Sequence, residues 1–158
     1  MLSALREDGQ PAEIVWPYLS ALPANISQWS PPVAATPIFR RAGEPGTCSI
    51  DAIIDHLDRG IPVLTLIYLS ASFYRPGMDG LIDEPTGEIP DVNLRHAVIA
   101  VGHGTTASYR AILIRNSWGN GWGVEGYGWL TEAFLKPRLY QLAILKEDLS
   151  VSAHSAAA

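Results

Sequence analysis

The chain has 158 residues, with 11 Lys and Arg against 16 Asp and Glu, for a formal net charge of −5. Its length suits one domain, or one domain and part of another, and 47% apolar against 17% charged residues describes a globular chain rather than a disordered one. The acidic balance excludes nucleic-acid binding driven by bulk basic charge, and a single cysteine, Cys48, excludes a disulfide scaffold or a multi-thiolate zinc site within this chain.

Residues 1–46 read as an extended, Pro-rich segment. Six of the 12 prolines fall in the first 40 residues, and proline fixes φ and lacks an N–H, so no long helix or central strand fits there. Ile14, Val15, Trp16, Tyr18, Leu19, Leu22 and Trp29 make it too apolar for a free linker. A short helix is expected at Leu2 to Asp8. The opening MLSALREDGQ places charged residues where a signal peptide needs its apolar core. No stretch reaches the roughly 18 apolar residues that span a bilayer, so the expectation is a cytoplasmic chain with no membrane partner.

The clearest helix is predicted over residues 47–60. Ile50, Ile53, Ile54 and Leu57 fall at i, i+3, i+4, i+7 and form one apolar stripe. Thr47 is the expected N-cap, Asp51 suits the first turn, and Gly60 followed by Pro62 ends the helix. Strands are predicted at Val63–Leu69, Ala97–Gly102, Arg110–Asn116, Gly126–Thr131 and Tyr140–Leu145. A long polar loop, Tyr74 to Arg95, separates the first two, and a helical turn is expected near Thr131 to Leu135. The tail, 151–158, is expected to be disordered. The fold class is α+β, with a mostly antiparallel sheet.

Two stretches stand out together: HAVIAVGHG at 96–104 and LIRNSWGNGWGVEGYGWL at 113–130. His96 precedes one strand and Asn116 ends the next. Paired as a hairpin, the two strands bring both residues to one end of the sheet. The Asn carbonyl can then fix one imidazole nitrogen and leave the other to face a nucleophile. Trp118 and Trp122 are placed to cover that bond, with Gly119, Gly121 and Gly123 turning the chain beside the indoles. The four His and one Cys show no metal-ligand spacing, and the acidic residues of the 74–95 loop read as a solvated face, so no cofactor is expected. His103 reads as a loop residue without a role.

These motifs resemble the papain-like cysteine peptidase family. The resemblance rests on His96-Ala97-Val98, Val101-Gly102-His103-Gly104, Asn116-Ser117-Trp118-Gly119, Trp122-Gly123 and Gly126-Tyr127. Weaker matches lie at Gly60-Ile61-Pro62-Val63, Phe73-Tyr74 and Trp16-Pro17-Tyr18. The resemblance implies a papain-like fold with a β-barrel-like domain carrying one helix over 47–150. It also implies peptide hydrolysis by a Cys–His–Asn acyl-enzyme route, with His96 and Asn116 as two members of the triad. In the family the nucleophile lies roughly 130–150 residues before the His, whereas only 95 residues precede His96. The signature around the nucleophile and its upstream Gln are absent, so residues 1–46 are expected to be a remnant of a helical domain that is largely missing.

Cys48, at the start of the predicted helix, matches the segment leading into the β domain and is not assigned as nucleophile. Arg95 places a cation next to His96 in sequence, which would disfavour imidazolium. Two readings follow. The chain is the C-terminal part of a peptidase acting on a peptide or protein, its nucleophile supplied by an N-terminal segment or a second chain. Alternatively, it is an inactive module that binds a peptide or protein partner. A different acyl transferase or amidase on the same His–Asn scaffold is a third, lesser reading.

Overall fold

A computed structural model of the chain describes residues 2–17, 24–25, 32, 35–106 and 108–148. The remaining positions, among them Tyr18, Leu19, Leu22, Trp29 and the tail 151–158, lie outside the described residues. The contacts divide the chain into two units, 1–43 with 146–158, and 44–145.

In the first unit, α1 spans Leu2–Glu7, close to its expected span, and a two-residue β1 (Gln10–Pro11) pairs antiparallel with β2 (Ile38–Phe39). The Arg40 Nε donates to the Glu7 carbonyl at 3.0 Å. A strand β3 (Arg41–Gly46), an element the proline content had hidden, runs from the first unit into the second.

The second unit holds the core. Helix α2 spans Ile50–Leu57 and starts three residues later than predicted. Ser49, not Thr47, is the N-cap: its extended backbone lets its hydroxyl accept from the Ala52 amide at 3.1 Å. Ile50 and Ile53 of the predicted stripe are buried, and Ile54 and Leu57 pack against the same core. The chain reverses at Gly60, whose φ of +72° suits a residue without Cβ.

Strand β4 (Val63–Leu69) alternates strictly, with Val63, Thr65, Ile67 and Leu69 buried. It is followed by a 3-10 turn, Ala71–Tyr74. The remaining elements are β5 (Leu81–Ile82), β6 (Asp91–Thr105), β7 (Arg110–Arg115), β8 (Tyr127–Thr131), a four-residue α3 (Glu132–Leu135) and β9 (Leu139–Asp148).

The seven-stranded sheet runs β3-β9-β4-β6-β7-β8-β5. It is mostly antiparallel, with β5 parallel to β8, and it is not a closed barrel. Strand β6 is much longer than predicted because Asp91–Arg95, read as loop, extends it. Helix α2 lies against the sheet. Ile53, Ile67, Phe73, Ile112, Ile114, Leu130, Phe134 and Leu142 are fully buried between the layers.

Among the described residues one charge is wholly inside: Arg138, in the turn before β9, is 0% exposed. Its Nη1 donates to the Phe134 carbonyl at 2.7 Å, its Nε to Ser70 Oγ at 3.0 Å, and its Nη2 to Glu88 Oε2 at 3.0 Å. The guanidinium also lies 3.9 Å over the Phe134 ring centroid. A buried guanidinium needs such a full set of acceptors to offset its lost hydration.

Candidate active site

Strands β6 and β7 pair antiparallel, with Ile99 opposite Arg115. That register carries His96 and Asn116 to the same end of the pair, as the hairpin reading expects. His96 Nε2 lies 2.8 Å from Asn116 Oδ1. The amide orientation is fixed independently, because the Ser117 backbone N–H also donates to Oδ1 at 2.8 Å and can only do so to an oxygen. The acceptor sets the tautomer: Nε2 carries the proton and Nδ1 is left as the basic nitrogen.

Asn116 itself is buried, and its Nδ2 has no hydrogen-bond partner among the described residues. An unpaired buried donor is a cost that native structures tolerate rarely, and functional sites are one place they do.

An aromatic layer covers this bond. The Trp118 ring lies 4.7 Å from the His96 ring, centroid to centroid. Tyr74 stacks on Trp118 at 5.3 Å and 19°. Phe73 meets His96 edge-on at 5.6 Å and Trp118 at 5.4 Å. Trp122, expected over the bond itself, stands one layer behind. Its ring packs 5.0 Å from Phe73, and its Nε1–H donates to the Phe73 carbonyl at 2.9 Å.

The loop between Asn116 and β8 turns through Gly119, Gly123 and Gly126, all at positive φ. Gly123 has no alternative, since a Cβ there would collide with the Tyr127 carbonyl oxygen. Gly121 has an ordinary φ and open space around it, so its expected role in the turn is not needed. Arg115 braces the loop by donating to the Glu125 carbonyl at 2.8 Å and lying 4.6 Å over Tyr127.

Two other residues sit differently from their sequence reading. Arg95 and His96 are consecutive on a strand and therefore project to opposite faces. Arg95 lies 5.6 Å over the Tyr140 ring, which stacks on Tyr68, and so its charge is directed away from the imidazole. His103 is on β6 rather than in a loop, and its Nε2 donates to Asp58 Oδ1 at 2.8 Å.

Cys48 is exposed, and partial burial pushes its thiol up rather than down. Both ends of α2 are tied to the far end of β6. Asp58 meets His103, and Asp51 bonds Arg110 at 2.7 Å, which pairs with Thr105. His96 lies nine residues back along β6 from Thr105, about 30 Å at a strand's rise. The helix start that carries Cys48 is thus remote from His96.

Sequence reasoning missed the cluster behind the aromatic layer. Glu88 accepts from the Ser70 hydroxyl at 2.7 Å and the Ser72 amide at 2.9 Å, from the Ser72 hydroxyl, and from Arg138. Burial pushes the Glu88 carboxyl up, but the bonds from Ser72 and Ser70 and the Arg138 charge outweigh it and hold it below the usual carboxylate range. No periodicity marks Glu88 or Arg138, and they are 50 residues apart. Two open hollows meet at Tyr74 and Arg75. One, of about 590 Å³, is lined by Leu69, Ala71, Ile89 and Leu94; the other, of about 450 Å³, by Met78, Trp118 and Trp122.

An oriented imidazole beneath an aromatic cover, at the end of an antiparallel sheet, defines a protein of the papain-like fold. The chain belongs to the papain family of cysteine proteases, whose family profile matches residues 43–136. It is 38% identical to chymopapain of Carica papaya over 66 residues, which cover 42% of this chain and 18% of that protein. It is 39% identical to cathepsin L of Sarcophaga peregrina over 67 residues, 42% of this chain and 19% of that one.

Among solved structures, xylellain, a cysteine protease from Xylella fastidiosa, superposes with a TM-score of 0.69 at 21% identity. The match covers 92% of this chain and 59% of xylellain. A structure from work on the mite allergens Blo t 1 and Der p 1 gives 0.70 at 24%, covering 92% and 46%. At these identities the superpositions establish the fold. The matched segments span less than a fifth of the curated relatives and about half of the solved chains. Among the described residues, no helix is long and apolar enough to cross a membrane, and no group of three His, Cys, Asp or Glu side chains is placed to hold a metal.

Proposed function

We propose that this chain supplies the acid–base half of a cysteine protease site, with His96 as the catalytic base and acid and Asn116 as its orienter. The observation that carries the reading is the 2.8 Å bond from His96 Nε2 to Asn116 Oδ1, which leaves Nδ1 as the basic atom.

In this reading Nδ1 takes the proton of a thiol, giving a thiolate and an imidazolium. The thiolate attacks the carbonyl carbon of a peptide bond. The imidazolium then returns its proton to the leaving amine as the C–N bond breaks, and a thioester remains. Water, deprotonated by Nδ1, attacks the thioester and releases the acid and the thiol. Asn116 keeps the ring aligned through both transfers. The hollows on either side of Tyr74 fit an extended peptide or protein substrate.

The thiol is expected from outside these 158 residues, on an N-terminal segment of a longer product or on a second chain. Cys48 is remote and its thiol is not activated. The same observation favours the second reading, a papain-like module that binds a peptide or protein without cleaving it.

A peptidyl acyloxymethyl ketone, which alkylates activated thiols, separates the two when added to the protein as isolated from its source cells. Label found by mass spectrometry on a cysteine other than Cys48, and lost in His96→Ala, supports the peptidase. No label on any cysteine supports the binding module, and label on Cys48 overturns both assignments.

A further inference from the structure

The aromatic cover over His96 is not anchored by its own contacts alone. Phe73 and Tyr74 belong to the turn Ala71–Tyr74, and that turn is held from two sides. On one side Trp122 Nε1 donates to the Phe73 carbonyl. On the other, the Glu88 carboxylate takes both the amide and the hydroxyl of Ser72, the residue directly before Phe73. Glu88 is itself fixed by Ser70 and by the fully buried Arg138. A continuous path of contacts thus runs from Glu88 through Ser72 to Phe73 and Tyr74, then to Trp118, and then to the His96 ring.

We infer that Glu88 is a positioning residue for His96: by clamping Ser72 it fixes the turn that presses Phe73 and Tyr74 onto Trp118 and seals the His96–Asn116 bond from water. Three things single it out. Glu88 makes four hydrogen bonds and uses both carboxylate oxygens, where a residue serving only to neutralise Arg138 would need one. Two of the four bonds go to Ser72, the residue directly before Phe73, and not to Arg138. The layer they hold packs against the ring of a part-buried hydrogen bond whose strength depends on low local dielectric. The inference deepens the proposed protease reading and takes its importance from it, but the physical claim concerns this chain's own residues.

The test reads the His96 Nε2–H directly. The rate at which that proton exchanges with water is measured by NMR saturation transfer in the full 15N-labelled chain. The chains compared are wild type, Glu88→Gln, Ser72→Ala, Ser72→Thr, and Asp55→Asn as a surface control. Ser72→Ala removes one hydroxyl and leaves the Glu88–Arg138 pair intact, so it remains informative if Glu88→Gln does not fold.

The inference expects exchange about five- to tenfold faster in Ser72→Ala and Glu88→Gln, the change that follows when local opening becomes easier by one hydrogen bond. It expects wild-type rates in Ser72→Thr, which keeps the hydroxyl, and in Asp55→Asn. A folded Ser72→Ala chain whose His96 proton exchanges at the wild-type rate overturns it. So does a Ser72→Ala chain that fails to fold, because the cluster would then be holding the domain and not the cover. Neither readout needs a nucleophile, so failure of the protease reading in the labelling experiment leaves these rates, and this inference, standing or falling separately.

Discussion

Asn116 Oδ1 receives the imidazole N–H of His96 and the backbone N–H of Ser117, each at 2.8 Å. One buried oxygen therefore sets the direction of the ring and the geometry of the bend that follows β7. Replacing Asn116 by Ala leaves both donors without a partner. The expected stability cost is about 1–3 kcal/mol for the orphaned buried groups. If the peptidase reading holds, hydrolysis by the native protein falls about 100-fold, with the loss in kcat and not in KM, because the ring is misdirected and the substrate contacts are untouched. Steady-state kinetics with chemical denaturation of the same samples checks both.

Arg138 is fully buried and its partner Glu88 is partly so, and removing one member leaves the other's charge without its counter-charge. Arg138→Met is expected to destabilise the 44–145 unit by about 3–5 kcal/mol. The double variant Arg138→Met with Glu88→Gln is expected to recover part of that loss, since no unpaired charge then remains inside. Denaturant midpoints of the two singles and the double form the cycle that measures this, and strict additivity would contradict the pairing.

Stability is expected to fall in acid through two carboxylates. Glu132 is held below its ordinary range first by its hydrogen bonds from Arg110, and Glu88 by its Ser72, Ser70 and Arg138 contacts. A carboxyl depressed in the folded state stabilises the fold above its unfolded value, near pH 4.5, and that contribution is lost as pH falls through the lower folded value. Thermal midpoints are therefore expected to be flat from neutral pH down to about 5 and to drop below that. Glu88→Gln should flatten the acid limb. A midpoint that rises on acidification would contradict the assignment. The Glu132 contribution, at a half-exposed pair, is expected to weaken with added salt.

Gly123 occupies a φ of +59° with the Tyr127 carbonyl where a side chain would begin. Gly123→Ala is expected to cost more than about 1 kcal/mol, since it combines an unfavourable backbone region with a steric collision. Gly121→Ala, at an ordinary φ with open space, is expected to change stability by less than about 0.5 kcal/mol. Thermal unfolding of the two variants checks the contrast, and equal midpoints would contradict it.

Much of the site was legible before the structure. The apolar stripe Ile50, Ile53, Ile54 and Leu57 gave α2, a short apolar run bounded by turn residues gave β4, and the hairpin pairing placed His96 beside Asn116. These are local signals, carried by residues close in the chain or by a single strand pairing. What was illegible is long-range. Glu88 and Arg138 meet only because the chain folds back between them, and a charged residue bound for the interior looks like any solvated one in sequence. Phe73 was visible only as a point of family resemblance, not as part of the cover, for the same reason. The proline-rich start hid β3 because proline content argues against strands on average but not against a short one near a sheet edge. Thr47 lost the cap to Ser49 because both are good capping residues and only the backbone direction decides between them. Arg95 was misjudged by treating neighbours in sequence as neighbours in space, which alternation in a strand forbids.

In the proposed function His96, oriented by Asn116, is the working base, and Cys48 is not the nucleophile. Peptide hydrolysis by the protein isolated from its source cells, compared among wild type, His96→Ala and Cys48→Ser, tests it most directly. The account predicts activity abolished by His96→Ala and unchanged by Cys48→Ser. Activity that survives His96→Ala in a folded protein, or that disappears with Cys48→Ser, would contradict it.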